Sequence, residues 1–82
     1  GGMSGLNYHK AYADSILSVQ YAMNNVVIKT TPGMASAVAL MLDHTNHDMM
    51  LGTVAGDDTI IVVTRSTEES LALASSIEQQ RK

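Results

Sequence analysis

The chain has 82 residues, of which 45% are hydrophobic, and it carries a net charge of −3 with no cysteine. A domain of this size buries little surface by itself, and neither a disulfide nor a thiolate metal site can support it. Because only five residues are cationic and they do not cluster, the chain alone is not expected to bind DNA or RNA. The apolar runs are too short to span a membrane and no signal peptide is visible, which favours a cytoplasmic protein.

Residues 1–13 are interpreted as a tag remnant and a lead-in, with a helical turn near Tyr8–Ala13, and residues 14–82 as one domain. Apolar and polar residues alternate in Ser15–Tyr21, which predicts a half-buried strand. The β-branched run in Val26–Thr30 predicts a second strand, and the short link between the two runs indicates an antiparallel hairpin.

Thr31-Pro32-Gly33 is typical of a helix start, with Thr31 as the cap and Pro32 in the first turn. The predicted helix runs over 33–44 and is apolar nearly all round. Such a helix is covered on more than one side, so a second subunit is the natural partner in a chain this small. The polar residues 44–48 predict a loop.

Residues 49–55 predict a third strand, 56–58 a tight turn, and 59–64 a fourth strand whose β-branched residues indicate burial on both faces. Ser66 and Glu69 have capping-box spacing, and the helix that they open buries Leu73, Ala74 and Ile77. The order β-β-α-β-β-α predicts an α+β two-layer sandwich, in which a four-stranded antiparallel sheet carries both helices on one face. Subunit contacts are expected on the other face.

Three carboxylates are candidate ligand-binding groups. Asp57 and Asp58 are adjacent on one tight turn, and like charges so close favour a cationic partner. A guanidinium offers paired donors to carboxylates, a divalent metal is the second candidate, and a solvated turn is the plain alternative. Asp43 at a helix end is either solvated or aimed at a cationic ligand.

A second polar cluster contains His44, His47 and Asp48. It could approach a metal, but a structural site usually needs four ligands, so a polar loop is favoured and no metal site is predicted. A small metal-dependent enzyme that combines this loop with Asp57 and Asp58 is a minor alternative. The sequence has no recognisable nucleophile–base pair, phosphate loop or dinucleotide fingerprint, so the chain is not expected to be an enzyme.

Two segments, Val26–Ala35 and Leu51–Ile60, together resemble the C-terminal domain of bacterial arginine repressors. The resemblance covers about residues 14–80. It implies a β-β-α-β-β-α sandwich that forms a homotrimer, two trimers that stack into a hexamer, and L-arginine bound between the trimers as effector, with no cofactor. It also implies that operator DNA is bound by an N-terminal winged-helix domain, which is missing here.

The resemblance assigns roles to individual residues. Asp57 and Asp58 bind the guanidinium and amino groups of L-arginine, and Asp43 lines the same pocket. Ser36 stands where arginine-sensing members often carry glutamine, and its side chain is shorter. The alternative function is therefore an oligomerisation module of a related regulator subunit with weak or no arginine sensing, and a purely structural assembly module is a third possibility. The positions that wall the pocket in the family match Ala35, Thr53 and Ala55.

Overall fold

A computed structural model describes residues 5–81, apart from the side chains of residues 5–9 and 47. No helix in this part of the chain combines the length and the apolarity needed to cross a membrane. The elements are α1 (Gly5–Asp14), β1 (Ile16–Ala22), β2 (Asn25–Thr30), α2 (Ala35–Asn46), a 3₁₀ turn (His47–Met49), β3 (Gly52–Ala55), β4 (Thr59–Val63) and α3 (Thr67–Arg81).

The four strands form one antiparallel sheet in the order β1-β2-β4-β3. The core lies between one face of this sheet and the helices, because apolar side chains from β2, β4, α2 and α3 are buried together. The predicted β-β-α-β-β-α order is confirmed, as is the buried stripe of α3. The largest fully buried apolar side chains of the core are Ile28, Leu42, Ile60, Leu73 and Ile77.

The opposite face of the sheet, here called the open sheet face, carries an apolar row. Val27 on β2 and Val54 on β3 both lie opposite Ile61 on β4, and cross-strand partners share a face. Val54 is 71% and Ile61 is 45% exposed. Within this chain β4 therefore alternates between buried and exposed residues, and the predicted burial on both faces is found on one face only.

β1 is an edge strand with an irregular register between Ile16 and Ser18. This bulge interrupts the regular alternation that the sequence suggested, and it leaves Leu17 exposed. The guanidinium of Arg81 donates to the carbonyl of Leu17 at 3.1 Å and also pairs with Glu78 at 2.6 Å. The last turn of α3 thus covers part of this edge.

The predicted start of α2 is wrong. Gly33 has a φ of 82°, whereas an α-helix requires a φ near −63°. The N–H of Met34 donates to the carbonyl of Thr31 at 3.1 Å and closes a β-turn with Pro32 and Gly33 at its centre. The helix therefore begins at Ala35, and Thr31 belongs to the turn before it.

The predicted loop at residues 44–48 is also wrong, because α2 continues to Asn46 and a 3₁₀ turn follows. Asn46 is only 8% exposed. Its amide donates to the hydroxyl of Ser76 at 3.0 Å and accepts from the amide of Gln80 at 3.1 Å. These partners on α3 satisfy a buried polar residue, so the polar end of α2 remains helical and packed.

Two other boundaries differ in extent. α1 is a ten-residue helix where a single turn was expected. β3 begins at Gly52, because Met49 lies in the 3₁₀ turn and Met50 is buried in the core. The predicted cap of α3 by Ser66 is confirmed, since the N–H of Glu69 donates to the hydroxyl of Ser66 at 3.0 Å. The Glu69 carboxylate accepts from the N–H of Arg65 at 3.0 Å.

Candidate functional site

A groove of about 440 Å³ runs between α2 and β3. Two large apolar side chains in its lining, Leu40 and Leu51, are 62% and 58% exposed. Asp43 adds a carboxylate to the same lining. This combination suits a ligand with a hydrocarbon stem and a cationic group. The lining residues are Ser36, Ala39, Leu40, Asp43, Met50, Leu51, Gly52, Thr53 and Ala55.

Of the seven predicted site residues, four line this groove: Ser36, Asp43, Thr53 and Ala55. Ala35 is fully buried and does not line the groove. Asp57 and Asp58 are exposed on the turn that follows Ala55. The structure therefore brings four of the predicted residues together in one groove, and Asp57 and Asp58 follow its last lining residue in sequence. The sequence analysis missed its apolar lining at Leu40 and Leu51, although the exposed Leu40 agrees with the unusually apolar surface of α2.

The β3–β4 turn, residues 56–58, is bonded to the start of α2. The carbonyl of Asp57 accepts from the N–H of Gly33 at 3.1 Å and from that of Ala35 at 3.2 Å. The Asp57 carboxylate also accepts from the N–H of Gly33, at 3.3 Å. These contacts satisfy N–H groups that a helix start would otherwise leave unpaired. The sequence contains no signal for this role of Asp57, because every residue has a carbonyl.

A hydrogen-bond chain links Asp58 to Lys29. The hydroxyl of Thr59 donates to the Asp58 carboxylate at 3.0 Å, and Lys29 Nζ donates to the same hydroxyl at 2.7 Å. Thr59 therefore stands between the ammonium and the carboxylate. All three side chains belong to the rim of the sheet at which β2 ends and β4 begins.

The carboxylates of the groove and of the turn belong to none of the ion pairs within the described part of the chain. The other cations there are engaged by acids remote in sequence from Asp43, Asp57 and Asp58. A carboxylate that accepts a single hydrogen bond keeps further acceptor sites. Asp57 and Asp58 thus retain capacity for a cationic ligand. The ion pairs join Lys10 to Asp14, Arg65 to Glu69 and Arg81 to Glu78.

Among the side chains that are described, no three His, Asp or Glu residues are grouped so that they could hold a metal ion. The side chain of His47 lies outside the described residues, so the metal hypothesis for His44, His47 and Asp48 is not tested by the structure. His44 and Asp48 are both exposed. The backbone carbonyl of Asp48 accepts from the guanidinium of Arg65 at 3.1 Å.

Comparison with known proteins identifies the family of this fold. Residues 12–79 match the family model of the arginine repressor C-terminal domain. The chain is 40% identical over 68 residues to the arginine repressor of Symbiobacterium thermophilum, which covers 83% of this chain and 45% of that protein. It is 36% identical over 61 residues to the arginine repressor of Bacillus subtilis, covering 74% and 41%. The chain thus spans less than half the length of these curated relatives.

The match includes the strand, turn and helix that carry the groove and the β3–β4 turn. The relatives are named as repressors, which are regulators, and this confirms the prediction that the chain is not an enzyme. With the fold, the position of the groove and these similarities in agreement, the chain belongs to the arginine repressor C-terminal domain family.

Proposed function

We propose that this chain is the effector-binding and oligomerisation domain of an arginine-responsive transcriptional regulator. The observation that carries the proposal is the placement of Asp43 in the groove and of Asp57 and Asp58 on the adjoining turn, outside every ion pair of the described chain. A guanidinium offers paired, planar donors to such carboxylates. The methylene stem of L-arginine would pack against Leu40 or Leu51.

The two exposed surfaces support two levels of assembly. The open sheet face carries an apolar row through Val54, Ile61 and Val27, and we assign it to contacts within a homotrimer. We assign the surface around the groove to contacts between two trimers. When two such surfaces meet, their carboxylates repel one another, and bound L-arginine would neutralise them. The effector then favours the hexamer because it binds the hexamer better than the trimer.

Control of transcription is proposed for the longer protein. The chain has a net charge of −3 and covers 45% of one repressor relative, so we assign operator binding to a winged-helix domain outside the matched region. A hexamer would present several such domains together, and linked domains gain effective concentration on paired half-sites. In this proposal the protein acts in the cytoplasm and needs no cofactor besides its effector.

The test is the solution mass of the chain by light scattering, with and without millimolar L-arginine. We expect a shift from trimer to hexamer. Asp58→Asn and Asp57→Asn should remain trimers at every arginine concentration, because each variant lacks one of the protein carboxylates that would bind the ligand. Glu68→Gln is the matched control, since it removes an exposed carboxylate on α3 and should still shift. An arginine-independent mass for the unmodified chain would contradict the sensing role, and dissociated Asp58→Asn trimers would contradict the separation of the two surfaces.

A second candidate is an oligomerisation module with weak or no arginine sensing. The observation that favours it is Ser36, which is exposed and lines the groove with a short side chain. Calorimetric titration of L-arginine into the unmodified chain and into Ser36→Gln distinguishes the two. Tighter binding by the variant would support weak sensing at Ser36, whereas equal affinity would show that this position does not limit binding.

A further inference from the structure

Helix α1 is part of the packed domain. Ala13 is 2% exposed, and Tyr12 packs against the hydrophobic core. The helix contacts both α2 and α3. Ser15 continues the last turn of this helix. Its N–H donates to the carbonyl of Tyr12 at 3.0 Å, and its hydroxyl donates to the carbonyl of Ala11 at 3.3 Å. These two hydrogen bonds attach Ser15 to the last turn of α1, so Ser15 is expected to move with the helix.

The connection between β2 and α2, residues 30–35, is bonded on one side to Ser15, which follows α1, and on the other side to the β3–β4 turn. The N–H of Thr31 donates to the carbonyl of Ser15 at 2.9 Å. The N–H of Thr30 donates to the carbonyl of Asp58 at 2.8 Å. Neighbouring N–H groups of an extended chain point in opposite directions, so two consecutive peptide units bridge these two parts of the domain.

Several local contacts hold this connection in place. The ring of Pro32 fixes φ, and Gly33 occupies the left-handed region with a φ of 82°. Thr30 is 2% exposed, and its hydroxyl donates to the carbonyl of Thr31 at 2.9 Å. Beyond the turn, Ala35 donates to the carbonyl of Asp57 at 3.2 Å. Hydrogen bonds of two consecutive residues, Thr30 and Thr31, therefore join the β3–β4 turn to Ser15.

We propose that the connection over residues 30–35 couples the β3–β4 turn to the docking of α1, so that a cationic ligand held by Asp57 and Asp58 stabilises the docked helix. Coupling free energies are reciprocal, so docked α1 raises the affinity for that ligand by the same factor. The inference rests on the proposed function, because L-arginine is taken as the ligand. It adds that, within a single subunit, the docking of α1 ahead of β1 depends on whether the ligand site is occupied.

The experiment compares Ala13→Glu with Ala11→Glu. Both substitutions place the same good helix former in α1, but Ala13 is buried and Ala11 is exposed. A buried, unpaired carboxylate displaces α1, whereas an exposed one leaves it docked. L-arginine affinity is measured by calorimetry, and amide hydrogen exchange in β4 checks that each variant is folded. In the unmodified chain, exchange at Thr31 and in the last turn of α1 is measured with and without saturating L-arginine.

We expect Ala13→Glu to bind L-arginine about fivefold or more weakly, the lower end of usual coupling factors, and Ala11→Glu to match the unmodified chain. L-arginine should also slow exchange at Thr31 and in α1. Unchanged exchange there at saturation, or equal affinity of an undocked Ala13→Glu, would overturn the coupling while leaving the binding site intact. The exchange measurement decides the question even if Ala13→Glu does not fold. If the unmodified chain binds no L-arginine, the proposed function fails first, and the coupling falls with it.

Discussion

Gly33, at the turn before α2, gives the sharpest quantitative test of the local structure. An L-residue in the left-handed region costs about 1–2 kcal/mol. A Cβ at this position would meet nothing within 4 Å, so no steric clash adds to that cost. Alanine also restricts the unfolded chain, which offsets about 0.4–1 kcal/mol. Gly33→Ala is therefore expected to lower the free energy of unfolding by about 1 kcal/mol.

Urea unfolding followed by far-UV circular dichroism, at one fixed protomer concentration, measures this difference. Gly52→Ala is the matched control, because a Cβ there also meets nothing within 4 Å and Gly52 does not have a positive φ. It should be neutral or stabilising by up to about 1 kcal/mol. Gly33→Asn should fall between the unmodified chain and Gly33→Ala, since asparagine tolerates the left-handed region. Equal stabilities of Gly33→Ala and Gly52→Ala would refute the conformational argument.

Three further substitutions test packing, capping and assembly. Asn46→Ala should lower the free energy of unfolding by about 2 kcal/mol, because it removes the hydrogen bonds of a buried side chain to Ser76 and Gln80 on α3. Unchanged stability in urea unfolding would show that water replaces these bonds. Ser66→Ala should lower it by about 1 kcal/mol through loss of the α3 cap, while Thr67→Ala changes it little. Ile61→Ser should reduce the mass in light scattering at unchanged circular dichroism, and an unaltered mass would exclude the open sheet face as an interface.

Sequence patterns sufficed for elements whose stability is local or follows a simple period. The capping residues of α3 and its stripe of buried residues were predictable because side-chain spacing alone determines them. The inner residues of β4 followed from β-branched composition. In contrast, Thr31-Pro32-Gly33 fits a helix start and a β-turn equally well. The choice depends on the carbonyl and carboxylate of Asp57, a tertiary partner 24 residues beyond Gly33 that no local pattern reveals.

The end of α2 illustrates the same limit. The polar residues around Asn46 predict a loop, because a polar run is typical of a solvent-exposed segment. Their partners on α3 lie about thirty residues away, and only the packed helices bring them together. At the candidate site, the carboxylates were predictable from charge and resemblance. The apolar lining by Leu40 and Leu51 depends on how α2 lies against β3, which the sequence does not state.

The bulge in β1 and the guanidinium of Arg81 on the carbonyl of Leu17 have a consequence for misassembly. A long, regular edge strand is a template for fibril growth, and a kinked, partly bonded edge is not. Copies of this chain are then expected to associate through the open sheet face and the surface around the groove, and not by pairing of β1 edges. This holds even at the high local concentrations that an oligomer creates. Arg81→Ala should bind amyloid dyes more readily on prolonged incubation, and equal dye binding would show that the bulge alone protects the edge.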